Sequence, residues 1–151
     1  MNDVKAPLQT AIFSLLNPLI DIYDVAPVTA NYPYTEIGET IEIEDMDKDT
    51  FGQETVVTFY IRDRFQGSAG SRMQVNGIKN TILNTLRKLP KDGLPQITGF
   101  RVTAVRLDDS NSQKIADDTF LYFTEILRIM FRTYQLPPVQ TFDETFDETF
   151  A

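Results

Sequence analysis

The carboxylates are the groups in this sequence best placed to do chemistry. Asp24, Glu36, Glu39, Glu42, Glu44, Asp45 and Asp47 fall close together, and acids so spaced can supply the ligands of a two-metal phosphoryl-transfer site. In an extended chain Glu42 and Glu44 share a face. The other parts of such a site are missing. Histidine and cysteine are absent, which removes the commonest proton-transfer group near neutral pH, the commonest zinc ligand and every thiolate. A serine nucleophile would need another base. The stretch QGSAGSR has the glycines of a phosphate loop without its lysine. No catalytic residue, metal or cofactor is therefore expected, and an exposed charge run is more often a solvated surface.

Charge narrows the reading further. The net charge is −8, and residues 36–49 carry seven acids, ending at Asp49, against one lysine. The basic residues are scattered: Arg62 and Arg64, Arg87 with Lys88 and Lys91, Arg101 and Arg106, Arg128 and Arg132. A protein that binds nucleic acid as its main task needs a basic surface, because neutralising phosphates supplies most of the affinity. DNA wrapping is not expected. Nor is membrane association, since no apolar run approaches the length of a spanning helix. The opening MNDVKAPLQTAIFSLLNPL lacks a basic lead and a cleavage site, so no secretory leader is expected. The absence of cysteine is compatible with a reducing compartment.

A chain of 151 residues is most simply one domain with a sizeable core. Leu8, Ile12, Leu15 and Leu16 predict a helix over residues 3–16, capped by Asp3, with Pro7 tolerated in its first turn. A short strand around Ile20 and Ile22 follows Asn17-Pro18, then a loop whose tyrosines, Tyr32 and Tyr34, bracket Pro33. Residues 34–43 and 54–62 read as paired strands rich in β-branched and aromatic side chains. Val75, Ile78, Ile82, Leu86 and Leu89 predict a helix over 72–89, with Ser71 as its cap and Pro90 as its stop. Residues 100–107 alternate as a strand and 108–118 read as a turn-rich excursion. Residues 120–134 also admit a helical reading, but their aromatic and β-branched content favours strand. The predicted order, α-β-β-β-α-β-β, defines an α+β domain over residues 1–136: a mostly antiparallel sheet with two helices packed on it.

Several side chains stand out as contacts rather than catalysts. Tyr32, Tyr34 and Phe65 are loop or loop-edge aromatics, a type enriched at docking surfaces and also common in satellite cores. Glu125, Arg128 and Arg132 interrupt the apolar last strand, as internal pairs, interface groups or a polar sheet edge. Residues 137–151 form a separate acidic tail after Pro137-Pro138, with TFDE repeated so that Phe142, Phe146 and Phe150 recur every fourth residue. Helix and strand both keep that spacing on one side. The tail reads either as a solubilising terminus or as a docking arm.

The stretch LIDIYDVAPVTANYPYTEIGE resembles the tail terminator, or tail-completion, proteins of long-tailed bacteriophages. The resemblance rests on Tyr23, Asp24, Pro27, Pro33, Tyr34, Ile37 and Gly38, together with the order of elements over about residues 5–134. Thr35 departs from it, standing where an aliphatic residue is common. The resemblance implies a homo-oligomeric ring, usually a hexamer, on the head-proximal end of the tail tube, in a virion component made in the host cytoplasm. Such a ring stops tube polymerisation, contacts the tail tube protein and the head connector or stopper, and lets DNA pass without sequence-specific binding.

An acidic channel wall would repel the phosphate backbone weakly and let it slide; Glu36 to Asp49 is the candidate for that wall. Two alternatives stand beside this reading. One is a head-side stopper, which also forms a ring; the other is a non-viral protein-binding scaffold domain. Residues 44–53 and 108–118 are expected to be ordered only by a neighbouring subunit.

Overall fold

The computed structural model describes residues 4–44, 52–92, 97 and 99–135. Within them the elements are α1 (Lys5–Leu16), β1 (Ile22–Tyr23), β2 (Tyr34–Glu44), β3 (Gly52–Gln66), α2 (Met73–Leu86), α3 (Leu89–Asp92), β4 (Phe100–Ala116) and β5 (Phe120–Gln135). The strands form one sheet in the order β1-β2-β3-β5-β4. Only the short β1–β2 pair is parallel. This is an α+β fold, a mostly antiparallel sheet with two main helices packed against it. No described helix is long and apolar enough to cross a membrane.

Both main helices follow from apolar spacing. Helix α1 buries Leu8, Ala11, Ile12 and Leu16, with Val4 also buried just before it; spacings of three and four keep these groups on one face. Asp3, the expected cap, lies outside the described residues. Helix α2 buries Val75, Ile82, Leu83 and Leu86. Arg72 and not the expected Ser71 holds its N-cap position, with no side-chain cap bond, and the Ser71 hydroxyl, one residue earlier, accepts the Met73 N–H at 3.1 Å. The expected single helix over 72–89 is interrupted. A turn at Arg87-Lys88 ends α2, and Pro90 stands at the second position of the short α3. A first helical turn needs no proline N–H, so Pro90 opens a new turn instead of stopping the old one.

The helices cover one face of the sheet. Val57, Phe59 and Ile61 of β3 join Leu127, Ile129 and Phe131 of β5, and residues of α1 and α2, in a single buried cluster. Each large side chain fully withdrawn from water there contributes about 1.5–3 kcal/mol.

Two expectations about loops need correction or restriction. Residues 108–118 are not an excursion. Strand β4 continues to Ala116 with Asp109 to Ala116 paired against β5. The reversal is short: the Asp117 carboxylate accepts the N–H groups of Thr119 and Phe120 at 2.8 and 2.6 Å. These residues looked like a loop because this half of an edge strand is exposed on both faces and shows no apolar alternation. Of the expected connection over 44–53, Glu44 belongs to β2 while Gly52 and Gln53 belong to β3; residues 45–51 lie outside the described residues.

Candidate docking face

Strand parity divides the functional candidates, and a bulge in β2 changes that parity. Ile37 pairs with Phe59, but Thr40 pairs with Val57, so β2 gains one residue at Gly38-Glu39. Before the bulge Thr35 and Ile37 face the helices. After it Thr40 and Glu42 take that side, and Ile41 and Ile43 turn to the opposite, open face. Both isoleucines are about half exposed, at 51% and 50%.

Beyond β2, the open face is built by the even-numbered residues of β3 and β5 and by alternate residues of β4. Ile41 pairs with Val56, Val56 with Met130, and Met130 with Arg106, giving a row across four strands that is apolar until its last member. Val56 and Met130 are buried, yet neither belongs to the core cluster beneath the helices. The next row runs Ile43, Glu54, Arg132 and Ala104.

Arginines collect on this face although they are dispersed along the chain. Arg62 and Arg64 come from β3, Arg128 and Arg132 from β5, and Arg101 and Arg106 from β4. Three of them form ion pairs: Arg62 with Glu36 at 2.7 Å, Arg128 with Asp109 at 2.8 Å, and Arg132 with Glu54 at 3.4 Å. Arg64 lies over two rings, 4.7 Å from that of Tyr32 and 4.2 Å from that of Phe120, an arrangement that suits a planar guanidinium. Arg101 and Arg106 are exposed and have no ion pair or hydrogen bond among the described residues. The face therefore carries surplus positive charge on a chain that is acidic overall.

One end of the face is aromatic. Tyr34 meets Tyr23 edge-on at 6.0 Å and Tyr32 at 5.1 Å, next to the cis Tyr32–Pro33 bond. The Tyr34 phenol titrates above its usual range, chiefly through burial and then through Tyr32, against the opposing pull of Arg62. Glu36 titrates low: burial raises it, but the Ala26 N–H and Arg62 together outweigh burial. Its two oxygens are engaged separately, one by Arg62 and the other by the Ala26 N–H, both at 2.7 Å.

Among the described residues, the acids of the run do not share one face. Glu36 lies on the open face in its ion pair, Glu39 is exposed at the bulge and Glu42 lies on the helix side. The Glu44 side chain and Asp45, Asp47 and Asp49 lie outside the described part. Glu42 and Glu44 follow the same strand parity, as the sequence suggests. Asp24 accepts a hydrogen bond from Gln9 at 2.9 Å. No grouping of acids able to hold a metal occurs among the described residues.

The aromatic and charged candidates divide as well. Tyr32 and Tyr34 share the Arg62–Arg64 end, whereas Phe65 is on the helix side, 5.9 Å from Phe123. Arg128 and Arg132 are on the open face. Glu125 is not: it is buried on the helix side, held by Lys79 at 3.2 Å and by the Ser110 and Ser112 hydroxyls. Burial would raise the Glu125 carboxyl, but the two serines and Lys79 bring it below its usual value. Phe142, Phe146 and Phe150 lie outside the described residues. Reading the sequence did not mark Arg62, Arg64, Arg101 and Arg106 as one group; the available signal was the spacing of two in 62/64, but joining distant strands requires the sheet order.

Comparison with known proteins adds one finding. No protein-family model matches the sequence, and no curated protein matches it significantly. Among solved structures, a chain from the virion of a native gene transfer agent particle is similar, with a TM-score of 0.53 and 12% identity. The match covers 85% of this chain and 91% of that one. At that identity the likeness is one of fold.

Proposed function

We propose that this protein is a structural component of a phage-tail-like virion, and within that class a tail terminator. The observation that carries the reading is the fold shared with a gene transfer agent virion chain over 85% of this sequence. It agrees with the resemblance of residues 20–40 to tail-completion proteins. In this reading copies of the chain close into a ring, six at the assembled tail end, on the head-proximal end of the tube. There the ring ends polymerisation and offers a surface to the head connector. Its role is structural and not enzymatic.

The sheet supplies a physical reason for closure. The outer edge of β4 has no strand partner among the described residues, and β2 is paired on its outer side only at Thr35 and Glu36. Long open edges invite further pairing, and a closed ring satisfies them without leaving a growing end. The head-side stopper remains the nearest competitor, because it too is a ring in a virion; the Tyr23–Gly38 stretch favours the tail side. Within the ring, an acidic wall toward the DNA path would begin at Glu39, since Glu36 is tied to Arg62 and Ala26.

Cryo-electron microscopy of finished tails tests this directly. Density for this chain is expected as a ring between tube and connector. Its absence there would sink the assignment, and its presence on the head side of the joint would give the stopper instead.

A further inference from the structure

We propose that the open sheet face is the receptor for the C-terminal repeat, residues 139–151, of a neighbouring copy of this chain. The proposal builds on the homo-oligomeric part of the reading above and does not depend on a place in a virion. Three observations carry it.

The first is charge. The open face holds Arg101 and Arg106 exposed and without a partner among the described residues, next to arginines already paired. The repeat carries Asp143, Glu144, Asp147 and Glu148 and no basic residue. Elsewhere an acidic chain repels its own copies; this face and this segment attract.

The second is the apolar pattern. Ile41, Val56 and Met130 form a row that ends at Arg106, with Ile43 one row away. The exposed isoleucine pair on β2 and the exposed arginines on β4 stand on opposite sides of the face, with the buried Val56 and Met130 between them. A segment laid across the strands that alternates aromatic and acidic groups would meet both. Phe142, Phe146 and Phe150 keep one side of such a segment in either helix or strand, and the acids fall between them.

The third is where the chain leaves the sheet. Tyr134 pairs with Gly52 on one side and Arg101 on the other, so β5 ends beside the rows just described. Leu136 and Pro137 each precede a proline, which disfavours the turn-forming αR region, and consecutive prolines favour a stiff extended path of about 3.1 Å per residue. Pro137-Pro138 thus sets the repeat apart from β5 in the sequence, and a neighbour's face is the target assigned to it.

The cysteine-free chain makes the test simple. Full-length Phe146→Cys and full-length Ile41→Cys are mixed and oxidised gently, with Ile115→Cys as an exposed control elsewhere on the same face. The expected result is a covalent dimer of the Phe146→Cys and Ile41→Cys chains in at least five-fold excess over the control mixture. Arg101→Glu with Arg106→Glu in the Ile41→Cys chain should remove that excess, while circular dichroism stays unchanged. Ile43→Cys should replace Ile41→Cys as the receptor. A yield no greater than the control overturns the proposal. So does a Phe146→Cys/Ile41→Cys double variant that closes internally in preference to linking two chains, because the arm would then cover its own face. The assay uses purified protein, so a failed tail assignment and a failed arm contact are distinguishable.

Discussion

Gly38 lies beneath the ring of Tyr60: a β-carbon at Gly38 would come within 2.2 Å of Tyr60 Cε2. The contact fixes the residue that opens the β2 bulge, and the bulge places Ile41 and Ile43 on the open face. Gly38→Ala is expected to cost about 1–3 kcal/mol, the range for forcing a methyl into filled space. Urea denaturation should show a lower midpoint with an unchanged slope. An unchanged midpoint would mean that Tyr60 swings away without cost.

The Glu36 carboxylate joins three segments: its own strand, Arg62 of β3, and the loop after β1 through the Ala26 N–H. Glu36→Gln is expected to destabilise the protein by about 1 kcal/mol, a value kept small because both partners are partly solvated. Amide exchange at Ala26 should speed up. Glu36 titrates low, so its contribution is complete above the usual carboxylate range and is lost as pH falls through its folded value.

Glu125 and Asp63 should show opposite pH behaviour, although both are buried acids on the helix side of the sheet. Glu125 titrates low because the two serines and Lys79 outweigh burial. Glu125→Gln is expected to cost about 1–3 kcal/mol near neutral pH, and the loss should vanish as acid protonates the native carboxylate. Asp63 titrates high, because burial outweighs the single Arg64 N–H that it accepts, and its Oδ2 has no hydrogen bond among the described residues. Its charge is therefore a cost above its folded value that fades as pH falls. Asp63→Asn is expected to stabilise by about 1 kcal/mol at neutral pH. Thermal melts of both variants between pH 3 and 8 would expose the two signs; parallel curves would contradict them.

Residues 109–116 are expected to exchange slowly in the free protein at the amides bonded to β5, and quickly at the alternate amides on the open edge. Exchange that is uniformly fast until a neighbour binds would restore the loop reading of this stretch.

How much of this could be read from the sequence depended on burial. Both main helices were legible because Leu8, Ile12 and Leu16, and Val75, Ile82 and Leu86, report one-sided burial through their spacing. Strand β3 was legible because Thr55 to Ile61 alternate beneath the helices. The outer half of β4 was not, because its side chains are mostly exposed on both faces and its two inward serines meet the polar groups of Glu125 and Lys79 instead of the apolar core. Pro90 misled, since a proline that stops one helix is equally good at starting the next. Within the acidic run, one extra residue at the bulge sets Glu36 and Glu42 on opposite faces, a shift that the sequence does not announce. The arginine-bearing face was invisible for another reason: its members lie on three strands whose adjacency follows from sheet order alone.

That order also bears on how the protein is made. Strand β5 is the last described strand to be synthesised, yet it lies between β3 and β4 and is the partner of both. Until it emerges from the ribosome, β3 lacks a strand along one side and β4 has none at all. Strand β5 can zip onto β4 through the short turn at Asp117, but its pairing with β3 is late and long-range, a slow kind of step that leaves strand edges open meanwhile. A chain stopped before Phe120 has neither the open face nor a finished core, so a defective product is excluded from assembly by topology alone.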